Sequence, residues 1–174
     1  TRWNCDWSSD VCSSDLFGLE PPLTGQPPAA TTQAVAFTPP SGDPVPVTGG
    51  GSFNTAGTLD GSGRYSDVLQ QGEVVFYRVW LDWGQGLAYQ VRVPAGDPNE
   101  APTNIWTSWY SVQRAEEDGA VLTRLRGQPV KLPDREEAIA SLPVQYANRD
   151  SSGEEGTSVA GWYYITVQHG LPGE

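Results

Sequence analysis

Val74-Val75-Phe76-Tyr77-Arg78-Val79-Trp80-Leu81 is the stretch on which the fold turns. Val75, Tyr77, Val79 and Leu81 fall on one side of an extended segment, with Phe76, Arg78, Trp80 and Asp82 on the other. That period of two is what a half-buried strand imposes, because successive side chains point to opposite faces. After Trp83-Gly84-Gln85-Gly86, a turn, the alternation resumes. Leu87, Tyr89, Val91 and Val93 now oppose Ala88, Gln90 and Arg92, until Pro94 closes the run. The two runs predict an antiparallel hairpin. Further strands are expected at Tyr65 to Leu69, Ile105 to Val112, Ala120 to Leu125, Val144 to Ala147 and Trp162 to Val167, each bounded by Gly, Pro, Asp or Asn. Short strands at this spacing predict an all-β fold, an antiparallel β-sandwich of jelly-roll-like kind. One short helix is expected from Asp134, an N-cap with Glu137 three residues on; Ala138, Ile139 and Leu142 would form its apolar stripe and Pro143 its end.

The chain around this region divides into three parts. Residues 17–51 carry Pro21, Pro22, Pro27, Pro28, Pro39, Pro40, Pro44 and Pro46 among Ala, Thr, Gly and Gln. Such a composition favours extended polyproline-type backbone without a core of its own, so a disordered linker is expected ahead of a domain over residues 52–174. Residues 5–16, CDWSSDVCSSDL, resemble the conceptual translation of a sequencing adapter, so residues 1–16 are set aside as non-native. The competing reading is a small loop closed by a Cys5 to Cys12 disulfide, which implies an oxidising compartment. With no Met in the sequence, a fragment whose native start and signal peptide are missing is expected.

Charge narrows the choice of partners. The 174 residues carry 10 Lys+Arg against 21 Asp+Glu, a formal charge of -11. Without residues 1–16, which hold Arg2 and Asp6, Asp10 and Asp15, the balance is 9 against 18, still -9. A surface of this sign repels phosphate backbones and anionic lipid heads, which disfavours nucleic-acid and membrane-surface partners. No stretch approaches the ~20 consecutive apolar residues of a bilayer span.

Reactive chemistry finds little support in the residue types present. His169 is the sole histidine and is expected in a loop past the final strand, a poor place to hold an imidazole for a triad. Gly156-Thr157-Ser158-Val159-Ala160 approaches the nucleophile-elbow pattern but ends in Ala, without the flanking strand and helix, so Ser158 reads as a loop serine. One histidine and no native cysteine cannot build a zinc site. The acids at 116–118, 134–137 and 150–155 read as solvated loop charge rather than the facing pair of a glycosidase. Calcium is the only cofactor for which a cage can be drawn, from Asp97, Asn99 and Glu100 or from Asp60 and Asp67, and turn chemistry accounts for both segments without it.

Aromatic residues leave a real alternative. Trp80, Trp83, Trp106, Trp109, Tyr110 and Trp162 either fill a core or, where they face solvent, offer rings on which a sugar can stack. Trp83, Trp80 and Trp109 are the candidate ligand contacts, with Trp83, in its turn, the ring expected to be most exposed.

Gly72-Glu73-Val74-Val75-Phe76-Tyr77-Arg78-Val79 with Leu81-Asp82-Trp83-Gly84-Gln85, and Ala160-Gly161-Trp162-Tyr163-Tyr164-Ile165-Thr166-Val167, resemble the opening and closing strands of bacterial pre-peptidase C-terminal (PPC-like) β-sandwich domains. With Pro143-Val144-Gln145-Tyr146-Ala147-Asn148-Arg149 added, the chain is similar, over about residues 47–168, to a module of exported actinobacterial cell-envelope proteins. Nine arginines against the single Lys131 fit the GC-rich coding of such organisms. The resemblance implies a non-catalytic module, secreted or displayed at the cell surface, in a binding or spacer role. Its partner would be a cell-wall or extracellular glycan or another envelope protein, with no metal or cofactor and no membrane insertion of its own. The resemblance supplies no catalytic residues to carry over. It also implies one further C-terminal strand beyond Glu174, so an unpaired sheet edge is expected.

Overall fold

The computed structural model describes residues 31–150, 153 and 155–171. Cys5, Cys12 and the adapter-like run lie outside the described residues, as do the first prolines of the expected linker and residues 172–174. The described chain is all-β. Its elements are β1 (Val45–Pro46), β2 (Gly57–Leu59), β3 (Tyr65–Ser66), β4 (Val74–Leu81), β5 (Ala88–Tyr89), β6 (Val91–Val93), β7 (Thr103–Tyr110), β8 (Glu116–Arg124), β9 (Val130–Leu132), β10 (Ile139–Ala140) and β11 (Gly161–His169), with three short 3₁₀ turns.

One five-stranded sheet, in the order β2-β4-β11-β7-β8, is the frame. The alternation read from the sequence of β4 decides its faces. Val75, Tyr77, Val79 and Leu81 are buried and meet Tyr163 and Ile165 of β11 and Trp109 of β7. Burying a large apolar side chain completely stabilises by about 1.5–3 kcal/mol, so this face supplies most of the driving force. Over it lie Leu87, Ile139 and Val144. They belong to a ribbon in which β5 pairs antiparallel with β10 and β6 with β9. The covering layer is therefore a set of short ladders, not one continuous second sheet. The pairing is also not wholly antiparallel, because β2 runs parallel to β4 and β1 parallel to β3.

The hairpin expected between 75–81 and 87–93 does not form. β4 pairs with β11 and β2, and the turn after it carries the chain into the covering layer, where Gly84 N–H donates to Val144 O (2.8 Å) and Val144 N–H to Gln85 O (2.7 Å). The helix from Asp134 is also absent. Tyr89 pairs with Ile139 and Val91 with Leu132, so residues 133–138 loop out of the ladder as bends. Ile139 is completely buried, and its place in the core is reached from an extended backbone, which a helix there would abolish. Val144 to Ala147 is not a strand; Val144 is buried and Tyr146–Asp150 is a 3₁₀ turn braced by Asn148, whose Nδ2 donates to Pro143 O and Thr157 O.

The described part of the Pro-rich stretch is not a free tether. Val35 N–H donates to Ser141 O, Val45 N–H to Arg64 O and Val47 N–H to Ser66 O, while Val47 packs on the core. Prolines leave intervening N–H groups free for such bonds, so an extended segment can dock as well as dangle.

Candidate functional site

The second face of the large sheet carries the distinctive chemistry. Register places side chains there in rows across the strands, since directly paired residues point to the same side. Trp80 pairs with Trp162. Next come Arg78, Tyr164 and Tyr110, then Phe76, Thr166 and Ser108, then Val74, Gln168, Trp106 and Val121. A sheet face with no layer above it is ordinarily polar. This one is rich in aromatic rings.

Its middle is closed by Phe53, in the turn Phe53–Thr55. The Phe53 ring meets Phe76, Tyr110 and Tyr164 edge-on, at 4.9, 5.1 and 5.1 Å. Arg114 lies 5.3 Å from the Phe53 ring centre and donates from Nη2 to Asn54 Oδ1 (2.6 Å), which fixes the plug from above. Tyr164 is consequently only 7% exposed although it sits on the outer face.

At the Trp80 end, among the described residues, no aromatic plug of this kind lies over the rings. Trp80 is 45% exposed. Its Nε1 donates to Asp82 Oδ1 (2.8 Å), and its ring stands at 83° to that of Trp162 with centres 5.4 Å apart. The Arg78 guanidinium lies 4.5 Å over Trp162, a cation–π geometry, and its Nε donates to Thr58 Oγ1 of β2 (3.1 Å). Trp80, Trp162, Arg78 and Asp82 thus form one connected cluster on the rim of the sheet.

The three tryptophans singled out from sequence part company. Trp80 is in the exposed cluster. Trp109 is on the core face, 6% exposed, beside Tyr163. Trp83, expected as the most exposed ring, is half-buried and packs against the core, and its buried Nε1 has no hydrogen-bond partner among the described residues. The turn that holds it tips inward because Gly84 is tied to Val144. Arg78 and Asp82 were not legible as site residues. Alternation puts both on the face of Trp80, but only the register with Trp162 shows them sharing a site.

Other candidates resolve into structural roles. His169 ends β11 rather than lying in a loop, and its Nε2 is 3.7 Å from Glu100 Oε1. The imidazole therefore has an acidic neighbour, within ion-pair reach but too far for a hydrogen bond. Glu100 is already held by Arg124, whose Nη1 donates to Oε2 (2.8 Å), and Arg124 makes three further bonds, from Nε to Gln128 O and from Nη2 to Pro94 O and Gly127 O. Among the described residues no hydroxyl bonds Nε2, and that of neighbouring Thr103 donates to Gly170 O. Ser158 donates to Glu155 O (2.6 Å). Of the drawn calcium cages, Asp97 accepts from Asn99 N–H and Asp67 from Gly49 N–H and Tyr77 Oη, so turns and packing use these carboxylates. Among the described residues no group of three His, Cys, Asp or Glu is placed to hold a metal ion. A cavity of about 170 Å³, lined by Trp109, Glu117, Ser141 and Thr157, lies on the core side. It is below the ~300 Å³ at which small-molecule sites begin.

Compared with known proteins, the chain matches no family model, no curated protein and no solved structure.

Proposed function

We propose that this chain is a non-catalytic β-module with a binding role, secreted or displayed at a bacterial cell surface, and that its ligand face is the outer face of the five-stranded sheet. The observation that carries the reading is the exposed Trp80 ring, braced by a half-buried Trp162, on a sheet whose other face already carries the core. Aromatic rings on an otherwise finished domain contribute little to folding where they stay wet, and a ligand that dries them gains that area. The address is supported by the resemblance of the Gly72 to Gln85 and Ala160 to Val167 stretches to PPC-like modules and by the Pro-rich approach to the domain. A purely mechanical spacer would need no such cluster. A glycosidase would need two facing carboxylates; of the acids weighed for that role, Glu116 accepts from Ser108 Oγ, Asp118 from Gly119 N–H and Glu155 from Gly153 N–H.

The test is co-sedimentation of the purified chain with isolated bacterial cell-wall sacculi and with outer-envelope fractions, in ~0.15 M salt to screen bare charge attraction. Retention on one of these fractions, lost in Trp80→Ala, is the expected result. A chain that stays in the supernatant with every fraction would overturn the binding role.

A further inference from the structure

We infer that the Trp80 end of the outer face is a stacking site for a neutral polysaccharide whose pyranose rings carry equatorial substituents. Such rings present a flat patch of axial C–H groups to an indole. The inference rests on the binding-module reading above and gives it a ligand class.

Preorganisation is the first argument. An indole free to rotate loses freedom when a ligand stacks on it. Trp80 has already lost it, because Nε1 is bonded to Asp82 and the Trp162 ring stands edge-to-face beside it. Cutting that ordering cost is how a rigid site gains affinity without new contacts.

The polar groups beside the ring are the second. Arg78 uses Nε on Thr58, and its two terminal nitrogens make no hydrogen bond among the described residues. Asp82 uses Oδ1 on Trp80, and its Oδ2 makes none among them. The cluster thus offers donors on one side and an acceptor on the other. A hydroxyl both donates and accepts, so vicinal hydroxyls satisfy the two sides together. An anionic ligand would meet Asp82 and the -11 charge of the chain, and a cationic one would meet Arg78.

Size is the third. A protein partner needs ~800 Å² on each side of a stable interface. The other exposed apolar side chains of this face, Val74 and Val121, lie three rows from Trp80, a separation of about 20 Å at ~3.3 Å per residue. Thr166 and Ser108 lie between. The apolar surface at the Trp80 end is about one ring in extent, which matches one sugar unit.

The experiment titrates the full chain with cellohexaose, chitohexaose, xylohexaose and laminarihexaose, following heat and tryptophan fluorescence. Polygalacturonate and a proline-rich peptide are run alongside, with Trp80→Ala, Trp80→Phe and Trp83→Ala as variants. The expected result is saturable binding of at least one neutral hexasaccharide, weakened at least tenfold in Trp80→Ala, partly restored in Trp80→Phe and unchanged in Trp83→Ala. Equal urea midpoints for wild type and Trp80→Ala show that the loss is not unfolding. Failure of all four sugars, an unchanged affinity in Trp80→Ala, or tighter Trp80-dependent binding of the polyanion or the peptide would each overturn the glycan assignment. Retention on envelope fractions without sugar binding would leave the binding-module reading standing and this inference rejected.

Discussion

Tyr163 is completely buried, and its hydroxyl donates to Val159 O (2.8 Å). Removing only that hydroxyl, in Tyr163→Phe, leaves a carbonyl without its partner and is expected to cost about 1 kcal/mol in urea unfolding. Truncation to Ala would empty the centre of the core, at about 3–5 kcal/mol. Burial pushes the phenols of Tyr77, Tyr89 and Tyr163 well above the ordinary tyrosine range, and for Tyr77 the Asp67 hydrogen bond adds to this. The folded state then keeps protons that the unfolded chain releases near pH ~10, so these groups' contribution is complete below that pH and declines above it, by at most ~1.4 kcal/mol per tyrosine per pH unit. Urea midpoints should fall steeply from pH 9.5 to 11, with phenolate absorbance at 295 nm rising at unfolding, and less steeply in Tyr163→Phe. Arg124 makes the opposite kind of contact. Its side chain is 6% exposed, and in Arg124→Met the carboxylate of Glu100 would lose its cation, an expected loss of about 3 kcal/mol read from urea melts. Adding Glu100→Gln should recover part of it, because the second change removes the stranded charge. Nothing in the sequence marks Arg124 as buried. It stands in a run with Thr123 and Arg126, and only the carbonyls of 94, 127 and 128 closing around it explain its position.

Strands differ in how plainly they could be read. β4 declares its faces because apolar and other residues alternate cleanly. β7, Thr103–Tyr110, buries Thr103, Ile105, Thr107 and Trp109 and turns Asn104, Trp106, Ser108 and Tyr110 outward, so each face holds both aromatic and polar types. Alternation alone could not assign Trp109 to the core. The hydroxyl of Thr107 is tolerated inside because it donates to Thr166 O (2.8 Å). Partner choice was less legible still. The 87–93 run has the pattern of a hairpin strand, but its partners lie 37 to 52 residues on, from Val93 with Val130 to Ala88 with Ala140, and short-range rules carry no information about that pairing. The Phe53 turn offers a test at this level. Gly50 exchanges two hydrogen bonds with Phe76 (3.0 and 2.8 Å), and a Cβ there would run into the backbone of Thr55 and Ala56. Gly50→Ala should displace the turn and its ring, costing about 1–3 kcal/mol and reducing near-ultraviolet circular dichroism from the aromatic cluster.

The described molecule is larger than the domain its sequence suggested, since residues 31–51 are laid along it. A chain starting at Ser52 would lose the bonds at Val35, Val45, Val47 and Gly49 and the packing of Val47. It should melt at least ~3 °C below one starting at Thr31, the shift expected for about 1 kcal/mol in a chain of this size, by calorimetry. Equal melting temperatures would show that the docked stretch contributes nothing. The all-β class was legible in the sequence; the location of the aromatic cluster was not, because it is created by two strands meeting at Trp80 and Trp162, 82 residues apart in sequence. The same pairing has a consequence for biosynthesis. β11 occupies the middle of the sheet, yet it is made after both of its neighbours. While the nascent chain is still on the ribosome, β4 and β7 each wait with one flank unsatisfied and their core-facing aromatics uncovered, and they cannot close until the last described strand emerges. The sheet therefore cannot close before its central strand β11 has been made, and the interval before that is when a chaperone has most to protect.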